Sequence, residues 1–186
     1  MSDTDLVEAC LNNKRQAQKE LYLRFSYLMK GVCLRYTKSE DDAEDLLQES
    51  FIKVFKNLDS YNDQGALGGW IRVITVNTAI EHYRKQKSIE KHHGEFKLIN
   101  QDESFDEILE TIDLNYLMGK IQLLSEGYRI VFNLYAIEGF NHREIAEKLS
   151  ISEGTSKSQF ARAKKHLQDM LKEDGELILK QFKDAQ

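Results

Sequence analysis

The chain has 186 residues, of which 41% are hydrophobic, and its formal net charge is −5. This size allows one domain or two small ones with a buried core. The charge excludes an even positive coating but not local basic faces. No apolar run approaches the roughly 20 residues that a membrane span needs, and the acidic start MSDTDLVEAC is unlike a signal peptide. We therefore expect a cytoplasmic protein with no membrane insertion.

The composition predicts an all-α fold and indicates no cofactor. The chain has no proline, and β-branched residues rarely alternate with polar ones. Cys10 and Cys33 form no CxxC or Cys/His spacing, so both are expected to be buried and reduced. No nucleophile–base pair, phosphate-binding loop or metal-ligand spacing is present, so we predict neither an enzyme nor a metal site. The His92-His93 pair is interpreted as incidental.

The first half of the chain predicts one helical domain over residues 4–87. Apolar residues at spacings of three and four predict two helices separated by Asn12-Asn13. A third helix follows Ser39 and opens with EDDAED, which places negative charge where the helix dipole favours it. The stretch LDSYNDQGALGG, rich in Asp, Asn, Ser and Gly, predicts a loop, and a fourth helix is expected to start at Trp70.

The composition then changes to that of a linker, which we predict over residues 88–110. Six acidic residues and no Lys or Arg lie between Gln101 and Asp113. Such a segment has little apolar surface to bury and is expected to be flexible when alone.

A second helical domain is predicted over residues 111–174. Helical periodicity resumes at Ile112. A further helix is expected to start at Ser125, whose side chain can cap it, to turn Tyr135 inward, and to stop near Gly139.

The stretch REIAEKLSISEGTSKSQFARAKKHL predicts a helix-turn-helix. Asn141 with Glu144 three residues later has the spacing of a capping box. Ser150 and Ile151 form the predicted turn, and Ser152 can cap the next helix. From spacing alone, the alternative is two solvated surface helices joined by a polar turn.

The last predicted helix has the properties of a DNA-recognition helix. Its first turn is small, its apolar stripe begins at Phe160, and basic side chains lie beside or opposite that stripe. Between Arg143 and Lys172 there are seven Lys or Arg and four Asp or Glu, a local net charge of +3. A helix in a major groove needs small or polar N-terminal residues toward the bases and cations toward the phosphates.

Two stretches together resemble a known family. DAEDLLQESFIKVFKNLDSY followed by GGWIRVITVNTAIEHYRK resembles region two of bacterial RNA polymerase sigma factors of the sigma-70 family, particularly the extracytoplasmic-function (ECF) group. LSEGYRIVFNLYAIEGFNHREIAEKLSISEGTSKSQFARAKKHL resembles region four of that group. The resemblance implies a sigma factor that binds core RNA polymerase, recognises the −35 and −10 promoter elements and helps to melt the latter. The polymerase itself would perform the chemistry.

The resemblance implies a polymerase-binding surface on the third helix, formed by Asp45, Gln48 and Glu49. In the family this surface docks on the clamp coiled coil of the largest polymerase subunit. The alternative for these residues is a solvated acidic face.

The region-two resemblance also implies −10 DNA contacts around the predicted loop and the fourth helix. Opening of the strands needs a pocket for an unstacked base and a basic path for the single strand. Trp70 is also compatible with a core position, and Asn77 with a helix–helix hydrogen bond. The implied −10 residues are Tyr61, Asn62, Trp70, Arg72, Asn77, Arg84 and Lys85.

In region four the resemblance implies −35 contacts on the last helix. Lys157 and Arg162 would mostly hold phosphates, and Gln159 is the expected reader of a base edge because Gln can pair with adenine in a bidentate way. The full implied set is Thr155, Ser156, Lys157, Gln159, Arg162 and Lys165.

The implied partners are core RNA polymerase, through its clamp coiled coil and flap region, promoter DNA and an anti-sigma factor. The acidic linker would either occupy the polymerase cleft and RNA channel or act as a solvated spacer. Two other functions stay open on the sequence. One is a helix-turn-helix regulator that binds DNA alone, with residues 4–87 for dimerisation or sensing. The other is an anti-sigma decoy or adaptor that keeps the fold but has lost the ability to melt the promoter.

Overall fold

The structure is a computed structural model that describes residues 1–62, 65–89 and 114–184. All regular secondary structure in these ranges is helical, which confirms the predicted all-α fold. The chain divides after Ile89 into two compact units, which we call the first and the second unit and describe separately. The predicted linker lies outside the described residues from residue 90 onward, as does the His92-His93 pair.

The first unit contains four α-helices and a short 3-10 turn. Asn13, at a φ of 56°, breaks the chain between the first two helices, as predicted. Ser39 caps the third helix by accepting a hydrogen bond of 3.0 Å from the backbone N–H of Asp42. The elements are α1 (Asp3–Leu11), α2 (Arg15–Tyr36), α3 (Glu40–Lys56), the 3-10 turn Leu58–Ser60 and α4 (Leu67–Ile89).

Helix α4 begins earlier than the sequence predicts. Its first residue is Leu67 and not Trp70, so Gly68 and the glycine after it are helical and not part of a loop. A Cβ atom on Gly68 would lie 3.2 Å from Cε1 of Phe25, tighter than most Cβ contacts. The glycine therefore allows α4 to pack closely on α2, which offsets its poor helix propensity. Only Gly65, at a φ of 123°, keeps the turn role that the pattern predicts for all three glycines.

The core of the first unit lies between α2, α3 and α4, with α1 packed on α2. Its helices also bury small hydroxyl side chains, which meet their hydrogen-bonding needs locally. Ser50, Thr75 and Thr78 each donate to the backbone carbonyl four residues earlier, at 2.7, 3.0 and 2.8 Å. The largest fully buried side chains here are Leu6, Leu21, Met29, Leu46, Leu58, Leu67 and Ile71.

Over residues 114–184 the second unit has four α-helices and one π-helical turn. They are α5 (Leu114–Leu123), α6 (Glu126–Phe132), the π-helical turn Asn133–Ile137, α7 (His142–Leu149) and α8 (Glu153–Asp184). Gly139, at a φ of 78°, follows the π-helical turn, close to the predicted stop. The core combines residues of α5, α6 and α8: Ile121, Leu124, Phe132, Ala163 and Leu167.

Two predictions about α6 and the following turn are wrong. Ser125 precedes α6, but its side chain makes no capping hydrogen bond within the described part of the chain. Tyr135 is not turned into the core, because its side chain is 39% exposed. The α5–α6 junction is instead held by Arg129, which is buried and donates from Nη1 to the carbonyl oxygens of Gln122 and Leu124, each at 3.1 Å.

The predicted helix-turn-helix is present as α7, a turn and α8. The Asn141 side chain accepts from the backbone N–H of Glu144 at 3.0 Å, and the Glu144 carboxylate accepts from the Asn141 N–H at 2.8 Å. Ser150 adopts a φ of 55° in the turn. Ser152 Oγ then accepts from the N–H of Thr155 at 2.9 Å, which caps α8. The capping box and the second cap are both confirmed.

In the described ranges no helix is long and apolar enough to span a lipid bilayer.

Candidate nucleic-acid interface

Helix α3 presents a stripe of exposed side chains that we call the docking stripe: Asp45, Gln48 and Ile52. Their spacings of three and four place them on one face of the helix. Ile52 is 54% exposed and was not singled out from the sequence, since an apolar residue on a polar face resembles a core position. A shallow groove adjoins this stripe, and Tyr27, 91% exposed, is among its lining residues.

Glu49 differs from its neighbours on α3 because it is engaged within the unit. Its carboxylate contacts His82 Nε2 on α4 and lies 3.1 Å from Lys53 Nζ. Lys53 also bridges to Glu81 of α4 at 2.8 Å. These four residues form the α3–α4 charged cluster. The hydrogen bond to His82, followed by that to Lys53, lowers the pKa of Glu49 to about 2, so the carboxylate is ionised at neutral pH.

The two aromatic residues predicted near the −10 element lie together at the start of α4. The rings of Tyr61 and Trp70 meet edge to face, with centroids 5.7 Å apart. The Tyr61 hydroxyl donates to the carbonyl of Gly65 at 2.7 Å, which ties the turn to the aromatic pair. Both side chains are half-buried. Trp70 is therefore neither an isolated core residue nor a free platform, and the two rings form one partly exposed aromatic surface.

Helix α4 continues this surface along one face. Asn77 is exposed, which argues against the helix–helix hydrogen bond that the sequence left open. Trp70, Val73, Asn77 and Arg84 follow one another at helical spacing, so their side chains lie on one side. Val73 is exposed as well and was missed for the same reason as Ile52.

Three other residues predicted for the −10 contacts are placed differently. Lys85 is exposed and lies beside the Asn77 face, and Asn62 is exposed in the turn before α4. Arg72 is half-buried, and at 100° per residue it lies on the opposite side of α4 from Asn77. The structure therefore does not bring Arg72 together with the other −10 candidates.

Helix α8 exposes only part of the predicted −35 set. Lys157 and Lys165 are exposed, and Thr155 and Arg162 are half-buried. Arg162 Nη1 donates to the hydroxyl of Tyr128 at 3.4 Å. These four residues remain compatible with a DNA-facing side.

Ser156 and Gln159 are buried, which does not support their predicted −35 contacts. Gln159 retains only 7% exposure and lies one turn before the fully buried Ala163, on the flank of the apolar stripe. The side chain of Ser156 is fully buried and its Oγ pairs with His142 Nδ1 at 3.0 Å. The spacing of apolar residues predicts the apolar stripe of α8. The buried surface of this helix is wider than the stripe and includes its polar neighbours Ser156 and Gln159.

His142, which sequence reasoning missed, links α7 to the start of α8. Its ring stacks on Tyr135 at a centroid distance of 4.4 Å and meets the edge of Phe160, in addition to its bond to Ser156. Burial, and then the nearby charge of Lys157, lower the pKa of His142. The imidazole is therefore neutral at pH 7 and acts as a packing and hydrogen-bonding group that holds the first turn of α8.

The cations on the exposed side of α8 have carboxylate partners. Lys157 Nζ lies 2.7 Å from Glu153, and Lys165 Nζ lies 3.7 Å from Asp169. Both pairs have the i,i+4 spacing along the helix, where exposed ion pairs contribute only about 0.3–0.5 kcal/mol. The lysines can therefore exchange these partners for phosphates at little energetic cost.

No group of His, Cys, Asp and Glu with a metal-binding arrangement occurs among residues 1–62, 65–89 and 114–184.

Comparison with known families gives two matches in the order that the sequence predicts. Residues 21–89 match the family model Sigma-70 region 2, and residues 114–167 match the model Sigma-70, region 4. Together the matches cover about two thirds of the chain.

Similar proteins extend this likeness over nearly the full length. The chain is 26% identical over 182 residues to the ECF RNA polymerase sigma-E factor of Haemophilus influenzae, with 92% of this chain and 96% of that protein covered. It is 26% identical over 187 residues to the RNA polymerase sigma-H factor of Pseudomonas aeruginosa, with the same coverage. The ECF RNA polymerase sigma-E factor of Escherichia coli is 28% identical over 178 residues, covering 88% and 91%.

Two solved structures are also similar. One is the sigma factor RpoE in complex with the anti-sigma factor NepR from Bartonella quintana, with a TM-score of 0.49, 24% identity and coverage of 83% and 96%. The other is CnrH in complex with the cytosolic domain of CnrY, with a TM-score of 0.48, 22% identity and coverage of 92% and 98%.

The family matches join the two units into one function. A region-2 unit with an exposed docking stripe and an aromatic surface precedes a region-4 unit with a helix-turn-helix. Proteins of this family are typically non-catalytic regulators of transcription. The chain belongs to the sigma-70 family, in its extracytoplasmic-function group, and is a sigma factor for promoter-specific initiation of transcription by RNA polymerase.

Proposed function

We propose that the docking stripe on α3 binds core RNA polymerase at the clamp coiled coil of its largest subunit. Asp45 and Gln48 supply charge and hydrogen bonds, and Ile52 adds an apolar contact, which is the mixture expected of a specific interface. Glu49, the third residue in the sequence prediction, already serves the α3–α4 charged cluster, so we give it no direct polymerase contact. The flap region is the proposed second polymerase contact, made by the second unit.

The −10 element is proposed to bind along the exposed face of α4. The Tyr61–Trp70 pair offers ring surface on which a base that leaves the duplex can stack. Asn77 carries both donors and an acceptor on the same face, one to two turns further along. Arg84 and Lys85 then supply positive charge for the strand backbone, with Asn62 before the helix. Arg72 has no place in this path because it lies on the opposite side of α4.

The −35 element is proposed to meet the first two turns of α8 and the adjacent basic side. Lys157, Arg162 and Lys165 would neutralise phosphates, and Thr155 lies near the capped N-terminal end that enters the groove. Gln159 and Ser156 are not part of this contact set because both are buried. Without Gln159 in the contact set, few side chains are available for direct base reading. Contacts to the DNA backbone and the shape of the DNA would then contribute more of the sequence recognition.

The remaining features of the proposal follow the family. The protein has no catalytic step of its own and works in the cytoplasm, and an anti-sigma factor controls it. The proposed limits of the two functional domains are 4–87 and 111–174, with the linker 88–110 between them.

The observation that carries the proposal is the pairing of an exposed polar and apolar docking stripe in one unit with a capped, basic helix-turn-helix in the other. The direct test is run-off transcription with purified core polymerase on a library of promoter fragments. We expect promoter-specific transcripts only when both proteins are present, and weak DNA binding by this chain alone. Tight operator binding without polymerase, or polymerase binding without any transcript, would contradict the proposal.

A further inference from the structure

The α3–α4 charged cluster connects the docking helix to the promoter-facing helix through polar side chains. It consists of two residues from each helix. Glu49 contacts His82, Lys53 Nζ lies 3.1 Å from Glu49, and the same nitrogen lies 2.8 Å from Glu81. Lys53 thus joins both helices through one atom, and each acidic partner has a charged or hydrogen-bonding neighbour.

The cluster lies between the two surfaces to which we assign function. On α3, Glu49 directly follows Gln48 of the docking stripe. On α4, Glu81 lies one turn after Asn77, and His82 lies two residues before Arg84. A shift of α4 relative to α3 at this point would therefore move the basic end of α4 with respect to the polymerase-bound face.

Buried apolar side chains flank the cluster in sequence on both helices. They include Phe51 of α3 and Ile80 and Tyr83 of α4. Apolar packing of this kind is non-directional, and the buried hydroxyls of Ser50 and Thr78 are satisfied within their own helices. The charged cluster adds directional bonds between α3 and α4.

We propose that the Glu49–Lys53–Glu81–His82 cluster is a positioning device that fixes the promoter-facing end of α4 relative to the polymerase-docking helix. Its residues contact neither the bases nor the polymerase. They act through α4, by holding Asn77, Arg84 and Lys85 at the position where the opened −10 strand runs. This inference rests on the proposed function of α3 and α4.

The test compares His82→Leu, His82→Gln and wild type as full-length proteins with core polymerase. His82→Leu removes the bond to Glu49, whereas Gln can still donate to that carboxylate. Arg24→Leu is the matched control, because Arg24 on α2 pairs with Asp3 of α1 at 3.1 Å and with Glu20 of its own helix at 2.6 Å. Transcription is measured on a fully duplex promoter and on the same promoter with a pre-opened −10 bubble.

We expect His82→Leu to lower transcription from the duplex template about five- to tenfold, which lies within the range that loss of one typical hydrogen bond gives. Transcription from the bubble template should stay within about twofold of wild type, since the −10 strands of that template are already separated. Affinity for polymerase should also stay within about twofold of wild type. His82→Gln should recover most of the duplex activity, and Arg24→Leu should be active on both templates.

Three results would overturn the inference. They are an equal loss on both templates, an equal loss in Arg24→Leu, or a fall in polymerase affinity that accounts for the whole effect. If His82→Leu does not fold, Lys53→Met replaces it, because it breaks the same connection from α3. Absence of promoter-dependent transcription by the wild-type protein on either template would instead refute the proposed function.

Discussion

Arg129 offers the sharpest test of how the second unit is held together. It is a buried cation whose Nη1 donates to the carbonyls of Gln122 and Leu124. These carbonyls lie at the end of α5 and just beyond it, where the helix leaves them without an intrahelical partner. In Arg129→Met the side chain keeps an unbranched apolar stem but loses the guanidinium and with it both bonds.

The expected loss of stability follows from these two contacts. A hydrogen bond to a charged group contributes about 1.5–3 kcal/mol net. Burial of the guanidinium itself costs part of that gain. We therefore expect Arg129→Met to lower the free energy of unfolding of the second unit by about 2–3 kcal/mol. With a urea m-value near the low end of the range for small domains, about 1 kcal/mol/M, the midpoint falls by about 2–3 M.

The assay uses the fact that Trp70 is the only tryptophan and lies in the first unit. Urea unfolding followed by tryptophan fluorescence therefore reports on the first unit, and circular dichroism reports on the helices of both. We expect the fluorescence midpoint to stay in place while part of the dichroism signal is lost at lower urea.

The control is Arg143→Met, which removes an exposed arginine that pairs with Glu147 at 3.5 Å. Arg143→Met should lower the free energy of unfolding by less than about 0.5 kcal/mol, as for loss of other exposed i,i+4 ion pairs. An unchanged dichroism transition in Arg129→Met, or an equal shift in the Arg143→Met control, would refute the reasoning.

Three further predictions test the proposed surfaces and the charged cluster. Asp45→Ala combined with Gln48→Ala should weaken polymerase binding about tenfold, more so at low salt, in a titration with core enzyme; unchanged affinity would contradict the docking stripe. Lys157→Ala should weaken binding of a −35 duplex and reduce the slope of log affinity against log salt concentration by about 1, whereas Gln159→Ala should change neither the affinity nor the slope. A loss of affinity in Gln159→Ala but not in Lys157→Ala would return Gln159 to the interface. Glu49→Gln should lower the free energy of unfolding by about 0.5–1 kcal/mol above pH 4.5, after allowance for solvent screening. Because the folded pKa of Glu49 is lowered from 4.5 to about 2, this difference should vanish as the pH falls from 4.5 to 2 in acid unfolding curves.

The helical segments and several of their ends could be predicted from the sequence because their causes are local. Ser39, Asn141 and Ser152 each accept from the backbone N–H three positions later, so the signal lies within one turn. Asn13 likewise breaks the first helical hairpin through its own backbone conformation. Apolar periodicity supplied the rest, since it reports which side of each helix meets the core.

The errors share a different cause, which is contact between residues distant in the chain. Gly68 resembles a loop residue until Phe25 is known to pack against it. No local pattern indicates the role of Arg129, which follows only from the end of α5 beside it. The sequence indicates a base reader at Gln159, but that side chain is buried on the flank of the apolar stripe. For Gly68 and Arg129 the deciding partner lies elsewhere in the chain, and periodicity within one helix contains no information about it.

The paired lysines of α8 bear on how strongly the second unit can bind DNA alone. Lys157 is 2.7 Å from Glu153, so a phosphate must displace a carboxylate that then stays beside the phosphate. Such an exchange releases fewer counterions from the DNA than binding of an unpaired lysine, and affinity from counterion release is reduced. The −10 contact of the first unit then has to supply the missing affinity. When polymerase holds both units, binding of one promoter element raises the effective concentration of the other unit at its own element.

A single substitution tests the effect of the Glu153–Lys157 pair on DNA affinity. Glu153→Gln keeps the size and polarity of the side chain but removes its charge, so Lys157 no longer has that carboxylate partner. We expect a few-fold tighter binding of a −35 duplex to the full chain and a steeper salt dependence, by up to about one counterion. In the double variant with Lys157→Ala the gain should disappear, since Glu153 would then have acted mainly through Lys157. If Glu153→Gln changes neither affinity nor salt dependence, Lys157 does not contact the DNA backbone, and the proposed orientation of α8 in the groove is wrong.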